Sequence, residues 1–348
     1  MEEHRIKWIM GFVLLAVLLI LLFLMNIGLG SVSIPYKEMM SVLGGGEATR
    51  TAYTSIILKS RLPQAITAVL AGAGLAVGGL QMQTLFRNPL AGPSILGISS
   101  GAGLGVAIVV LLAGNMLGVS ISGYGIYGHL TVVTAAFVGA FFILMLIVFF
   151  AQALRDNTIL LIVGIMVGYA ASALIGVMKF YSPKEDVHAY VIWGLGSFAN
   201  VNGEHLTILI PVVGLGLLFS LLLIKPLNLL VLGEYYAENL GLNIKRTRLY
   251  ILFCTGMLTA AITAFCGPIA FLGLAVPHLT KGLFRTSDQK VLMPAVILAG
   301  AILALFCNVI ARLPGFEGAL PINVVTGLIG APIVISVIIK RRRMSSHG

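Results

Sequence analysis

The stretch KPLNLLVLGEYYAENLGLNIKRTR, Lys225–Arg248, is a polar island in a chain that is otherwise almost continuously apolar. Within it, Gly233 to Leu240 (GEYYAENL) reads as a short helix. Gly233 can start it, Glu234 suits its positive N-terminal end, and Gly241 can close it in the left-handed conformation. At about 1.5 Å rise per residue this helix covers roughly 12 Å, far too little to cross a bilayer. Lys245, Arg246 and Arg248 follow, a cluster typical of a cytoplasmic membrane edge. Two readings stand at this point. One is an ordinary cytoplasmic loop. The other is a docking helix through which a soluble partner pushes on the membrane domain.

The composition sets the class. Hydrophobic residues make up 59% of the 348 and charged residues only 10%, against about 25% charged in a soluble domain. The chain is therefore expected to be all-α and polytopic, one transmembrane domain over residues 1–348. The net charge of +10 has no basic face behind it. It is read as membrane topology, with lipid as a partner and nucleic acid excluded. Cys254, Cys266 and Cys307 lie inside apolar runs without metal spacing and are read as small buried hydrophobes.

Ten spans account for the apolar runs. They fall near residues 9–29, 62–85, 93–112, 129–153, 158–180, 205–224, 249–266, 268–284, 291–311 and 322–339. A short surface helix is expected near Tyr36 to Leu43. Asn115 to Gly128 and Arg312 to Pro321 read as external loops. Arg155-Asp156-Asn157 reads as an internal turn. In this arrangement Arg5, Lys7, Arg87, Arg155, Lys225, Lys245, Arg246, Arg248, Lys281, Arg285, Lys290 and Lys340–Arg343 lie inside. Lys37, Arg50, Lys59, Arg61, Lys179, Lys184 and Arg312 lie outside. The bias of about two to one supports both termini being cytoplasmic. Gly92-Pro93-Ser94-Ile95-Leu96-Gly97 resembles Gly267-Pro268-Ile269-Ala270-Phe271-Leu272-Gly273. The first copy falls at the internal face and the second at the external face, the pattern of an inverted repeat. Chance similarity of two Gly-Pro stretches is the competing reading.

The chain carries no engine of its own. It has no G-x-x-x-x-G-K-[ST], so no P-loop holds a nucleotide. No HExxH, GxSxG or intramembrane acidic pair offers catalysis, and no metal site is expected. Gly97, Gly101 and Gly105 recur every four residues, as do Gly74 and Gly78, a spacing that lets membrane helices approach closely. Among polar residues inside spans, Gln81, Gln83 and His278 are the candidates for a cavity or helix-contact role. No relay of Asp, Glu and His crosses the membrane, which argues against a proton-driven carrier. The energy is then expected from outside this polypeptide. Arg61 and Arg312, with Lys59 nearby, read either as interfacial anchors or as sockets for acidic residues of an external partner.

At these residues a resemblance becomes specific. Arg61-Leu62-Pro63, the run Gly72 to Gly103, Leu232 to Gly241, Gly267 to Phe284 and Ile310 to Ile335 resemble, in order, the FecCD family of ABC importer permeases. The resemblance implies ten helices per subunit and a homodimer around a central pathway, in a bacterial cytoplasmic (inner) membrane. It implies two ATP-binding subunits inside, an external substrate-binding protein, and a ferric siderophore as cargo, with haem or vitamin B12 as alternatives. ATP and Mg would reside in the partner, and this chain would bind no cofactor and be no enzyme. By position, the loop 226–246 would carry the coupling helix, with Gly233, Glu234, Ala237, Leu240 and Gly241 at the ATPase. Lys59, Arg61 and Arg312 would contact the binding protein. Gln64 stands where the vitamin B12 relatives carry a basic residue. Asn88, Pro89 and Leu90 would lie near the inner gate, and Gly164, Met166, Gly168 and Ser172 would line the pathway. A stand-alone secondary carrier and a membrane enzyme are the alternatives from other classes.

Overall fold

Every extended apolar run in the chain has become a helix. A computed structural model describes residues 2–30, 32–46, 48–113, 125–154, 156–313 and 319–345. Among them there is no strand. Seven helical stretches are long and apolar enough to cross a membrane. They are α1 (Glu2–Gly28), α4 (Leu62–Leu85), α6 (Gly125–Ala153), α7 (Asn157–Tyr181), α9 (Gly203–Leu222), α12 (Ile244–Cys266) and α14 (Gln289–Ala311). Helices α5 (Ile98–Ala107), α13 (Leu272–Phe284) and α15 (Ile322–Ser345) fall where the other three spans are expected. The chain is thus a multi-pass membrane protein. Parts of the loops expected at Asn115–Gly128 and Arg312–Pro321 lie outside the described residues, as do Arg155 and the Lys340–Arg343 side chains.

Several boundaries differ from expectation. The second span does not begin at Leu62. Helix α3 (Thr51–Ile56) runs through a π-helical turn at Ile57–Arg61 into α4, giving one continuous helical stretch from Thr51 to Leu85. Helix α2 forms at Tyr36–Leu43 as read from the sequence. Helix α8 (Lys184–Gly194) forms between the fifth and sixth expected spans, held by burial of Tyr190 and by the Lys179 ammonium 4.4 Å over its ring.

The centre of the bundle is α4, whose span is 83% buried, with α12 at 78%; α1 is only 11% and α7 only 22% buried. Small residues explain how α4 collects neighbours on all sides. A Cβ on Gly72 would stand 2.2 Å from the main-chain oxygen of Gly300 in α14, and one on Gly79 would stand 1.7 Å from that of Gly273 in α13. No other residue fits either contact, the close backbone approach that small residues permit between membrane helices. Buried side-chain amides find partners across the helices. Asn308 donates to Asn26 at 2.7 Å, and Gln81 accepts from Thr255 at 2.6 Å.

Two stretches of non-helical backbone enter the bundle from opposite ends. Residues 86–97 rise from the end of α4 through a 3-10 turn at Pro93–Leu96, closing at Gly97 with φ of 76°. Residues 267–271 descend from the far end of α12, with φ of 74° at Gly267 and 67° at Phe271. The two breaks touch where Gly273 meets Pro93. Ala91–Pro93 of the first and Gly267 of the second are buried in protein, the one setting in which irregular backbone is tolerated at membrane depth. Their opposed entry is the arrangement an inverted repeat produces.

Candidate functional site

The polar island folds as two short helices, α10 (Ile224–Leu232) and α11 (Glu234–Asn239). Gly233 joins them at φ of 119°, and Gly241 ends the second at φ of 87°. Gly233 is fixed twice over, since a Cβ there would also meet the Arg87 guanidinium at 2.7 Å. Six residues give α11 a length of about 9 Å, so its attachment comes from tertiary contacts and not from its own propensity. Ala237 is its anchor, fully buried. Tyr235, Tyr236 and Leu240 point the other way, 76%, 65% and 63% exposed, with the two rings edge-to-face. Of the residues expected at a partner, Leu240 is thus on the open face, Ala237 faces the membrane domain, and Gly241 only closes the helix.

Glu234 also faces inward. One of its carboxylate oxygens accepts from Asn157 Nδ2 and lies 3.8 Å from Arg248 Nη2. Asn157 Nδ2 is also 3.1 Å from the main-chain oxygen of Leu85, and Arg248 Nη1 donates to that of Leu154 at 2.9 Å. The ends of α4 and α6, the start of α7 and the first turn of α12 therefore converge on the base of α11. A cleft of about 780 Å³ opens beside it, lined in part by Arg87, Asp156, Glu234 and Tyr236. Asp156 caps α7 by accepting from the Thr158 amide at 2.6 Å. That hydrogen bond holds its carboxyl below the ordinary range, and Arg248 adds to the effect.

The turn at Asn88-Pro89-Leu90 lies above this cluster. Asn88 Oδ1 accepts from the Leu90 amide at 2.9 Å, and His278 Nε2 contacts the Pro89 carbonyl at 2.7 Å. Leu90 is 41% exposed. The four residues expected on the pathway helix divide. Met166 and Ser172 are on the exposed face of α7. Gly164 and Gly168 instead receive the turn before α5, whose Leu96 and Gly97 Cα atoms would lie 3.0 and 3.6 Å from added Cβ atoms. Their smallness serves packing.

At the opposite end, Arg61 is 2% exposed and donates to the carbonyls of Ile27, Gly28 and Val32. The first two are orphan acceptors at the end of α1, and Val32 lies in the chain just beyond it. Arg312 donates to the carbonyl of Leu29 at 3.3 Å. Burial lowers the Arg312 pKa, and the adjacent Arg61 guanidinium adds to the shift. Lys59 is exposed. Two guanidiniums thus share one cap, with Arg61 beneath and Arg312 half-exposed above it. Gln64 is buried and donates to Asn308 at 3.3 Å.

Sequence reading did not single out Tyr235, Tyr236 or Asn157. The adjacent tyrosines on a polar helix were the available signal for the first two. Nothing local marks Asn157, whose partners lie 72 and 77 residues away. Among the described residues no group of His, Cys, Asp and Glu could hold a metal ion.

Known proteins resemble this arrangement along its whole length. The chain is 34% identical over 341 residues to the vitamin B12 import system permease protein BtuC of Klebsiella pneumoniae, covering 98% of this chain and 96% of the relative. It is 32% identical over 342 residues to the protein of the same description from Salmonella typhi, covering 98% of each. A solved structure described as an inward-facing conformation of a metal-chelate type ABC transporter superposes with a TM-score of 0.79 at 30% identity, covering 96% of this chain and 99% of that one. The model of the FecCD transport family matches residues 18–340, and the chain belongs to that family.

Proposed function

We propose that the chain is the membrane-spanning subunit of a binding-protein-dependent ABC importer that moves a ferric siderophore or related iron complex inward. Two copies form the pathway, two ATP-binding subunits dock on α11 from the cytoplasm, and a binding protein delivers cargo at the Arg312 end. Both termini are then cytoplasmic, in line with the bias of basic residues along the chain. The observation that carries this reading is α11 itself. An aromatic face stands clear of the membrane domain while Ala237 and Glu234 fasten the same short helix to it. ATP is hydrolysed in the partner, and closure of that partner displaces α11. A ligand or partner shifts such an equilibrium only by its differential affinity for the two states.

A corrinoid is the second reading of the cargo, favoured by the vitamin B12 relatives, whereas the metal-chelate transporter suits the first. The test is ATPase activity in liposomes of this chain with its ATP-binding subunit and binding protein, loaded in turn with ferric siderophore, cobalamin and haem. Stimulation by one loaded form names the cargo. Failure of any ATPase to assemble overturns the importer reading in favour of a stand-alone carrier.

A further inference from the structure

Apolar contact is only part of what attaches α11 to the bundle. Its Glu234 meets Asn157, the first residue of α7, and the same Asn157 nitrogen reaches the last residue of α4. The carboxylate is steadied by Arg248, itself 4% exposed and bound to the end of α6. Gly233, pressed against Arg87, leaves no slack on the other side of α11.

The helices joined here are held unequally. Helix α4 is locked by backbone contacts at Gly72 and Gly79, and α12 by side chains seated on Gly74, Gly78 and Gly256 and by the Gln81–Thr255 hydrogen bond. Helix α7 is 22% buried, and Met166, Tyr169 and Val177 stand open along it. When α11 is displaced, the strain passes to the element with the fewest packing constraints, because mobile elements are drawn from the weakly packed end of a structure. Asn157 Oδ1 is buried and accepts no hydrogen bond in this arrangement. A buried acceptor without a partner is uncommon and costly, and here it leaves the amide oriented by its Nδ2 contacts alone. We propose that the Glu234–Asn157 contact is the joint that passes displacement of α11 to α7, and that Asn157 is a positioning residue for the transport step. This rests on reading α11 as the ATPase-docking helix.

The experiment uses the complete transporter in proteoliposomes with a Met166→Cys reporter. Met166 is 53% exposed, whereas Cys254, Cys266 and Cys307 are buried and give little background. The readout is the ratio of labelling rates by a water-soluble maleimide with and without ATP and vanadate. A coupling free energy of ordinary size changes such a ratio by about 5–150-fold. Asn157→Ala is expected to keep its bound ATPase and hydrolyse ATP, with the ratio falling to within about twofold of unity. Glu234→Ala removes the same contact from the other side and is expected to bring the ratio to the same range in the fraction that retains its ATPase, so the inference does not depend on Asn157→Ala assembling. Glu234→Gln keeps an acceptor for Asn157 and is expected to retain most of the response, a rescue that a general loss of stability does not give. Wild-type ratios in both alanine variants overturn the inference. A reporter protein with its native joint that binds no ATPase overturns the docking reading, and this inference with it.

Discussion

Replacing Tyr235 and Tyr236 together by alanine should detach the ATP-binding subunit while leaving the membrane domain intact. Their exposures of 76% and 65%, applied to the roughly 150–250 Å² that a tyrosine can bury, leave roughly 210–350 Å² available to a partner. At about 25 cal/mol per Å² the ceiling is roughly 5–9 kcal/mol. Ordering the rings and the partner groove consumes much of that, so area does not convert directly to affinity. Truncation of single aromatic anchors at interface centres costs about 2–4 kcal/mol. A net loss of about 3.5 kcal/mol is a reasonable centre for the pair, or on the order of a 300-fold weaker complex. The assay is titration of detergent-solubilised membrane subunit with purified ATPase, read by fluorescence anisotropy, beside a melting curve of the subunit alone. An affinity within threefold of wild type refutes the reasoning, because the two rings would then face something other than the partner. The melting curve should not move, since neither ring is part of the core.

Three further outcomes follow from the packing. Gly79→Ala places a methyl 1.7 Å from the Gly273 oxygen and should lower stability by about 1–3 kcal/mol or more, seen as a lower aggregation midpoint; an unchanged midpoint means that α13 can move aside. Arg61→Ala orphans the carbonyls of Ile27, Gly28 and Val32, each costing about 1–3 kcal/mol if left dry. Arg61→Lys should rescue little of this, since an ammonium does not reproduce the fork, and full rescue in the same melt contradicts the capping role. Glu38 accepts two hydrogen bonds from Thr49, which hold its carboxyl below the ordinary value. A lowered carboxylate pKa contributes stability above the unfolded value of about 4.3, lost as pH falls through the lower folded value. Limited proteolysis of the segment 44–50 should therefore be constant from pH 8 to pH 5 and accelerate only in stronger acid.

The sequence was most informative where one residue type has a single structural use. Small residues at four-residue spacing announced close helix contacts, and Gly233 and Gly241 bracketed a helix that forms over Glu234–Asn239. The paired Gly-Pro stretches marked both backbone breaks. Side-chain direction was not legible in the same way. A helix of six residues is too short to reveal which face is buried, so Ala237 and Tyr235 look equally available in one dimension. Arg61 reads as a surface charge because the carbonyls that claim it lie about thirty residues earlier in the chain, at the end of another helix. Gly164 and Gly168 follow the pattern of pathway residues, yet the turn that fills the space beside them belongs to residues 95–97. Packing decided the direction of Ala237 and Tyr235, long-range hydrogen bonding that of Arg61, and backbone contact the role of Gly164 and Gly168.

The descending break at residues 267–271 also constrains how the protein is made. Helix α13 has 13 residues and rises about 20 Å, short of the roughly 30 Å of a hydrocarbon core. The extended residues before it therefore sit where water is scarce. The Ala270 amide is satisfied by Asn323 Oδ1 at 3.1 Å, and Phe271 packs on Gly330, both contributed by α15. Helix α15 is synthesised after α13. Until it arrives, the nascent chain holds an open polar backbone inside the bilayer, so this break is completed only by a later span and a chain truncated before Ile322 presents an unfinished surface to membrane proteases.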